Sequence, residues 1–152
     1  MKKLYALHVS LVSKLQSPFL LIIRLYWGAQ FFVAGRAKLL DVDKFTGLFA
    51  GWGIPMPKLN VMLAGSTECF GGLLLLLGLG SRIVTVPLIF TMIVAYLTAE
   101  SEAAHAIFSN PDKFVTAAPF LFLLTCVIVL IFGPGAFSLD AIIARMCGEK
   151  KK

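Results

Sequence analysis

Residues 64–79 read AGSTECFGGLLLLLGL, and they set one carboxylate, Glu68, inside a run long and apolar enough to cross a bilayer. At 100° per residue, Ala64, Gly65, Glu68, Gly71 and Gly72 share an arc of about 120°. One face of this helix is therefore small and acidic, and the opposite face, led by Leu74 and Leu77, suits lipid. Small residues let a second helix approach closely where lipid supplies no hydrophobic drive between helices. An ionised, unpaired carboxylate at mid-depth costs ~2.5–3.5 kcal/mol on insertion scales, so Glu68 is expected to turn inward, towards a partner.

The composition around this stretch agrees. Hydrophobic residues make up 59% of the 152, charged residues 14%, and mean hydropathy is +0.88, outside the range of a soluble domain. The expected fold is an all-α membrane protein, a single domain over residues 1–152. It is read as a bundle of four transmembrane helices at about 18–40, 59–79, 83–99 and 114–132. Short interfacial helices are expected at the N-terminus, in the first outer loop and at the C-terminus. That leaves no length for a soluble catalytic or nucleotide-binding domain. The net charge of +6 lies mostly at the termini beside apolar spans, a topology signal rather than a nucleic-acid surface.

The natural mate of the Glu68 face lies in the first span. Arg24, Gly28, Phe31, Gly35 and Lys38 form one stripe about 80° wide. With that span centred near Ala29, Arg24 falls about 7.5 Å from the centre, within reach of a mid-depth carboxylate. An Arg24–Glu68 pair is one expectation. The alternatives are an Arg24 that snorkels to the head groups and a Glu68 that stays protonated on a hydroxyl or backbone partner. Lys38 continues the stripe at the helix end, where a solvated cluster with Asp41 and Asp43 is the plainer reading.

The remaining segments are mostly architectural. Leu4, Leu7, Leu11 and Leu15 suggest a surface helix, followed by a first span that opens at Pro18. Residues 41–58 read as a short outer helix ending in the turn Gly53-Ile54-Pro55-Met56-Pro57. Pro87 falls in the first half of the third span and Pro119 near the start of the fourth. Gly133-Pro134-Gly135 stops the fourth span, and Ser138 caps a last short helix. His105 beside Glu102, Asp112 and Lys113 has the composition of a solvated loop more than of a metal site. Cys69, Cys126 and Cys147 lack metal or CxxC spacing and read as small apolar side chains, although Cys69 and Cys126 share a similar depth. Eight Lys and Arg flank one side (Lys2, Lys3, Lys14, Arg82, Arg145, Lys150, Lys151, Lys152) against five on the other (Arg36, Lys38, Lys44, Lys58, Lys113). Both termini are therefore expected in the cytoplasm.

From about Phe19 to Ala144 the chain resembles the DoxX family of small four-span bacterial membrane proteins. The stretches that carry the resemblance are Arg24-x3-Gly28-x3-Phe32-x2-Gly35-x2-Lys38-Leu39, Gly53-Ile54-Pro55, Ala64-Gly65-x2-Glu68-x2-Gly71-Gly72, Arg82, and Gly133-Pro134-Gly135 with Ser138-Leu139-Asp140. The resemblance implies a four-helix bundle in the bacterial inner membrane. It also implies an association with redox chemistry, since the family is named for a relation to the membrane subunit of a thiosulfate:quinone oxidoreductase.

On this reading Glu68 and Arg24 are the catalytic candidates, and Gly28, Phe32, Gly35, Lys38, Gly71 and Gly72 the substrate- or cofactor-binding candidates. Quinone is the expected cofactor and no covalent one is expected. Phe31, Phe32, Trp27 and Tyr26 would wall the ring. The expected partners are the bilayer, a protein carrying soluble redox chemistry, and a second copy of the chain. A non-enzymatic assembly subunit and an oligomeric small-solute carrier are the competing functions.

Overall fold

A computed structural model describes residues 2–148, with the side chains of residues 5, 8 and 11–148. Every regular element among them is helical: α1 (Lys2–Leu40), α2 (Val42–Gly51), α3 (Pro57–Leu77), α4 (Ser81–Thr98), α5 (Ser101–His105), α6 (Pro111–Thr116), α7 (Pro119–Phe132) and α8 (Leu139–Met146). Three are long and apolar enough to cross a membrane: Leu11–Leu40 within α1, then α3 and α4. The shorter α7 is a fourth apolar helix. These four close a ring in which α1 packs on α3, α3 on α4, α4 on α7 and α7 on α1. Phe31, Leu75, Leu88, Met92, Cys126 and Val129 form the core where they meet. Ile22, Val33, Phe70, Phe90, Leu97 and Ile131 point outward and are well exposed, which is the arrangement lipid requires.

Two expected boundaries move. The N-terminal helix does not end before Pro18, because α1 runs through it. Proline there forfeits one bond, to the Lys14 carbonyl, and tertiary contacts hold the chain at that level: Ser17 Oγ accepts from Ala136 N at 3.2 Å, and Leu20 is fully buried. The Leu4 and Leu7 side chains of the expected surface stripe lie outside the described side chains, and Lys150–Lys152 lie outside the described residues.

The helix of the expected fourth span is not continuous from Phe114. The chain leaves the helix at Ala117 (φ −63°, ψ 142°) and restarts at Pro119, since proline suits a first helical turn and not an interior. The break is stapled to α4 by Tyr96, whose hydroxyl donates to Phe114 O at 2.8 Å while its ring stacks on Phe114 at 4.7 Å.

The α1–α3 seam is the closest in the molecule, and glycine makes it so. A Cβ on Gly28 would meet Leu76 N at 2.9 Å, and one on Gly72 would meet Phe32 N at 2.5 Å. One on Gly35 would enter the Cys69 backbone. Backbone touches backbone at three levels, so the register is antiparallel and fixed: Gly28 beside Leu76, Phe32 beside Gly72, Gly35 beside Cys69. Gly71 faces the other way, onto the Leu88 side chain of α4.

Candidate functional site

That register decides which charges can meet. Arg24 and Lys38 are fourteen positions apart on one face of α1, about 21 Å along a helix. Glu68 lies one position from Cys69 and therefore level with Gly35, at the Lys38 end. Lys38 Nζ reaches Glu68 Oε2 at 2.5 Å, with the carboxylate side chain only 4% exposed and the lysine 17%. The expected Arg24–Glu68 pair does not form. Arg24, fully buried, instead donates from Nη1 to Leu75 O at 3.2 Å and from Nη2 to Phe137 O at 2.7 Å. The two faces meet at the expected angles, and the register between them is what differs: Glu68 stands level with Gly35, at the Lys38 end of α1 and not the Arg24 end. Neither an unpaired snorkelling Arg24 nor a Glu68 bonded only to a hydroxyl or backbone group describes what is there.

The two ends are built differently. At the Arg24 end, α3 stops at Gly78, which has φ 72°; a Cβ there would collide with the Arg24 guanidinium. Asp140 of α8 then accepts from Gly80 N at 2.7 Å and Ser81 N at 3.1 Å, capping the N-terminus of α4, while its own N–H donates to Gly78 O at 3.0 Å. Ser138 caps α8 as expected, accepting from Ala141 N at 3.2 Å. Arg24 thus ties α1 to the end of α3 and to the segment leading into α8 through Nη1 and Nη2, while its buried Nε has no hydrogen-bond partner among the described residues.

At the Lys38 end, α2 folds back over the pair. Its N-cap Asp41 accepts from Lys44 N at 3.3 Å, and the Phe45 ring lies 5.9 Å from Lys38 Nζ, within cation–π range. Phe49 is buried against α3's side of the bundle, and Trp52 packs on it at 5.5 Å. Beneath this cover lies a cavity of about 210 Å³ with Lys38 and Glu68 in its wall. The rest of that wall is chiefly apolar, from Phe31, Phe49, Trp52, Ile54, Met92 and Phe122. Phe122 stacks edge-on against both Phe31 and Trp27, at 4.6 and 4.8 Å, which fixes the aromatic wall in place.

Of the predicted site residues, Lys38, Glu68 and Phe31 come together on the cavity. Arg24 does not reach it, and Gly28, Gly35 and Gly72 serve the α1–α3 seam. Gly71 serves the α3–α4 contact, Phe32 lies in the seam, and Tyr26 points outward with 57% of its surface exposed. Sequence reasoning did not assign Phe49, Trp52, Ile54, Met92 and Phe122 to the site. The available signal was the apolar edge of residues 42–52, whose Phe45 and Phe49 lie over the pair and its cavity. Cys69, Cys126 and Cys147 are free thiols, Cys126 within the apolar core. In the α5–α6 region, His105 Nδ1 lies 2.7 Å from Ser101 O, and Lys113 pairs with Glu102 at 2.6 Å.

Long apolar helices with buried charges define a multi-span helical membrane protein. The DoxX family profile matches residues 19–101. The chain is 30% identical over 148 residues to "Uncharacterized membrane protein Rv3486" of Mycobacterium tuberculosis (strain ATCC 25618 / H37Rv), with 88% of each chain covered. It is also 30% identical over 125 residues to "Putative oxidoreductase CatD" of Bacillus subtilis (strain 168), covering 82% of this chain and 87% of CatD. This chain belongs to the DoxX family. No solved structure matches it.

Proposed function

We propose that this chain is a redox-linked subunit of the bacterial cytoplasmic membrane that binds the head group of a quinone, or a ring of similar size, in the cavity beside Lys38 and Glu68. In this reading α1, α3, α4 and the stretch 114–132 are four spans, with both termini cytoplasmic. The observation that carries it is the ion pair itself: a buried carboxylate and ammonium sit at one edge of an otherwise apolar, aromatic-walled space. Ligand sites commonly have this form, a mostly apolar pocket with a few convergent polar groups. The name given to CatD as an oxidoreductase points to the same chemistry.

A bound quinone supplies an acceptor of two electrons and two protons. This chain contributes the proton side. Lys38 Nζ is a donor for a ring oxygen, and Glu68 Oε2 is a site at which a proton is held and passed on. Phe31 and Phe122 orient the ring and exclude water, and Trp52 covers it. The electrons come from a protein partner that carries the redox centre. Arg24 has no part in this chemistry, because its two hydrogen bonds hold the far end of the bundle.

Binding of a short-chain benzoquinone to the purified Trp27→Phe protein, followed by quenching of Trp52 fluorescence, tests the reading. Saturable quenching is expected, weakened about tenfold by Glu68→Gln, the usual worth of one hydrogen bond to a charged group. Absence of saturable quenching in protein that melts normally would sink it.

A further inference from the structure

A second, mostly apolar space, about 290 Å³, lies between α3 and α4, lined by Asn60, Leu63, Thr67, Pro87 and Phe90 among others; the Asn60 amide donates to Pro55 O at 2.6 Å. It shares Phe49, Ile54, Ala64, Thr91 and Val94 with the first cavity. The two are neighbouring chambers with a common wall whose members at the α3–α4 crossing, Ala64 and Thr91, are small. Leu63 and Phe90 are 57% and 67% exposed on the outside of the bundle, within two helices long and apolar enough to cross a membrane. Pro87, on this wall, cannot donate a backbone bond, and Thr91 Oγ1 donates back to the Pro87 carbonyl at 3.0 Å. The threonine hydroxyl is thus occupied within its own helix and does not add a polar group to the cleft.

On the reading of the first cavity as a head-group site, we infer that the α3–α4 cleft is the door and the tail channel of that site. The ligand is a lipid-soluble amphiphile that arrives sideways from the bilayer. Its ring passes Ala64 and Thr91 to reach Lys38 and Glu68, and its hydrocarbon chain stays in the cleft beside Thr67 and Phe90. The first cavity alone is smaller than the ~300–1,000 Å³ typical of ligand pockets, and the two chambers together reach that range. The chemistry of the walls separates the roles: the charged pair borders the first chamber only, and the exposed apolar side chains of Leu63 and Phe90 border the second only.

Thr67 lines the cleft and not the inner cavity, so Thr67→Trp fills the channel without touching the head-group site. In lipid vesicles, Thr67→Trp is expected to weaken binding of a long-tailed benzoquinone at least tenfold and leave a tailless one within twofold of wild type. Equal affinities for both ligands in variant and wild type, or equal loss of both, would overturn the channel. Failure of wild type to bind either ring defeats the head-group reading instead, and the cleft is then judged separately. In a Trp27→Phe, Trp52→Phe background, the tryptophan introduced by Thr67→Trp is expected to be quenched strongly by lipids brominated on their acyl chains. No quenching would show that the cleft is closed to the bilayer and would overturn the door.

Discussion

The two charged ends of α1 solve the same problem in opposite ways. At one end a cation is buried completely and its two terminal nitrogens donate to backbone carbonyls, Leu75 O and Phe137 O. At the other a cation faces a carboxylate across 2.5 Å, with a cavity alongside. Arginine suits the first task because its planar fork donates to two fixed acceptors and its charge cannot be titrated away. Lysine suits the second because a single ammonium on a flexible stem can turn from one acceptor to another. An end held by a guanidinium is a staple, whereas an end held by an ammonium–carboxylate pair beside open space can exchange its partner for a ligand.

The sharpest break in that comparison is Arg24→Met. It leaves two buried carbonyls without a donor, at ~1–3 kcal/mol each, in a medium where no water replaces the lost bond. The thermal midpoint in detergent should fall by more than for the Lys38→Met, Glu68→Leu pair of changes, which leaves no buried group unpaired, and much of the protein should fail to accumulate. Arg24→Lys should not rescue it, since one ammonium cannot reproduce the forked geometry towards Leu75 O and Phe137 O. A variant as stable as wild type would mean that Arg24 is no staple.

The Lys38 end predicts a pattern rather than a single loss. Lys38→Met alone strands a buried carboxylate and should cost up to ~3–5 kcal/mol, less to the extent that Glu68 takes up a proton. Lys38→Met combined with Glu68→Leu removes both charges together, and such replacements are often neutral or stabilising. The double variant should therefore melt at or above the single one and bind no quinone. If it were instead the least stable of the three, the pair would be structural, and the two ends of α1 would not differ in kind.

Sequence made some of this legible and hid the rest for a physical reason. A 3.6-residue period fixes angle around a helix, so the Arg24–Lys38 stripe and the small face around Glu68 could be read and set against each other. Depth is another matter. Which residue of α1 stands level with Glu68 depends on the sliding register of two helices, and that register is set by Gly28, Gly35 and Gly72 touching backbone on the partner. Their spacing allowed several offsets. The same limit concealed the bonds from Asp140 to Gly80 and Ser81, which join segments some sixty residues apart. Local capping was readable, as Ser138 illustrates, because it needs only the next three residues. Pro18 and Pro119 show the middle ground: one was absorbed into a helix held by Ser17 and Leu20, and the other broke its helix.

The smallest effect tests the contrast outside the membrane, where an ion pair has water to compete with. Lys113 and Glu102 pair at 2.6 Å, and both side chains are substantially exposed. The hydrogen bond from Lys113, and then its charge, hold the Glu102 carboxyl below the ordinary glutamate range. A depressed folded-state value means the contribution is fully present above the unfolded glutamate pKa and is lost as pH falls through the folded one. Wild type and Glu102→Gln melted from about pH 6 down to about pH 3 should differ slightly at the upper end and converge at the lower. The gap should also shrink with added salt, because exposed pairs are screened. A gap that widens on acidification would have the wrong sign for this pair, whereas the buried Lys38–Glu68 pair should respond far less to salt, because burial shields it from mobile ions.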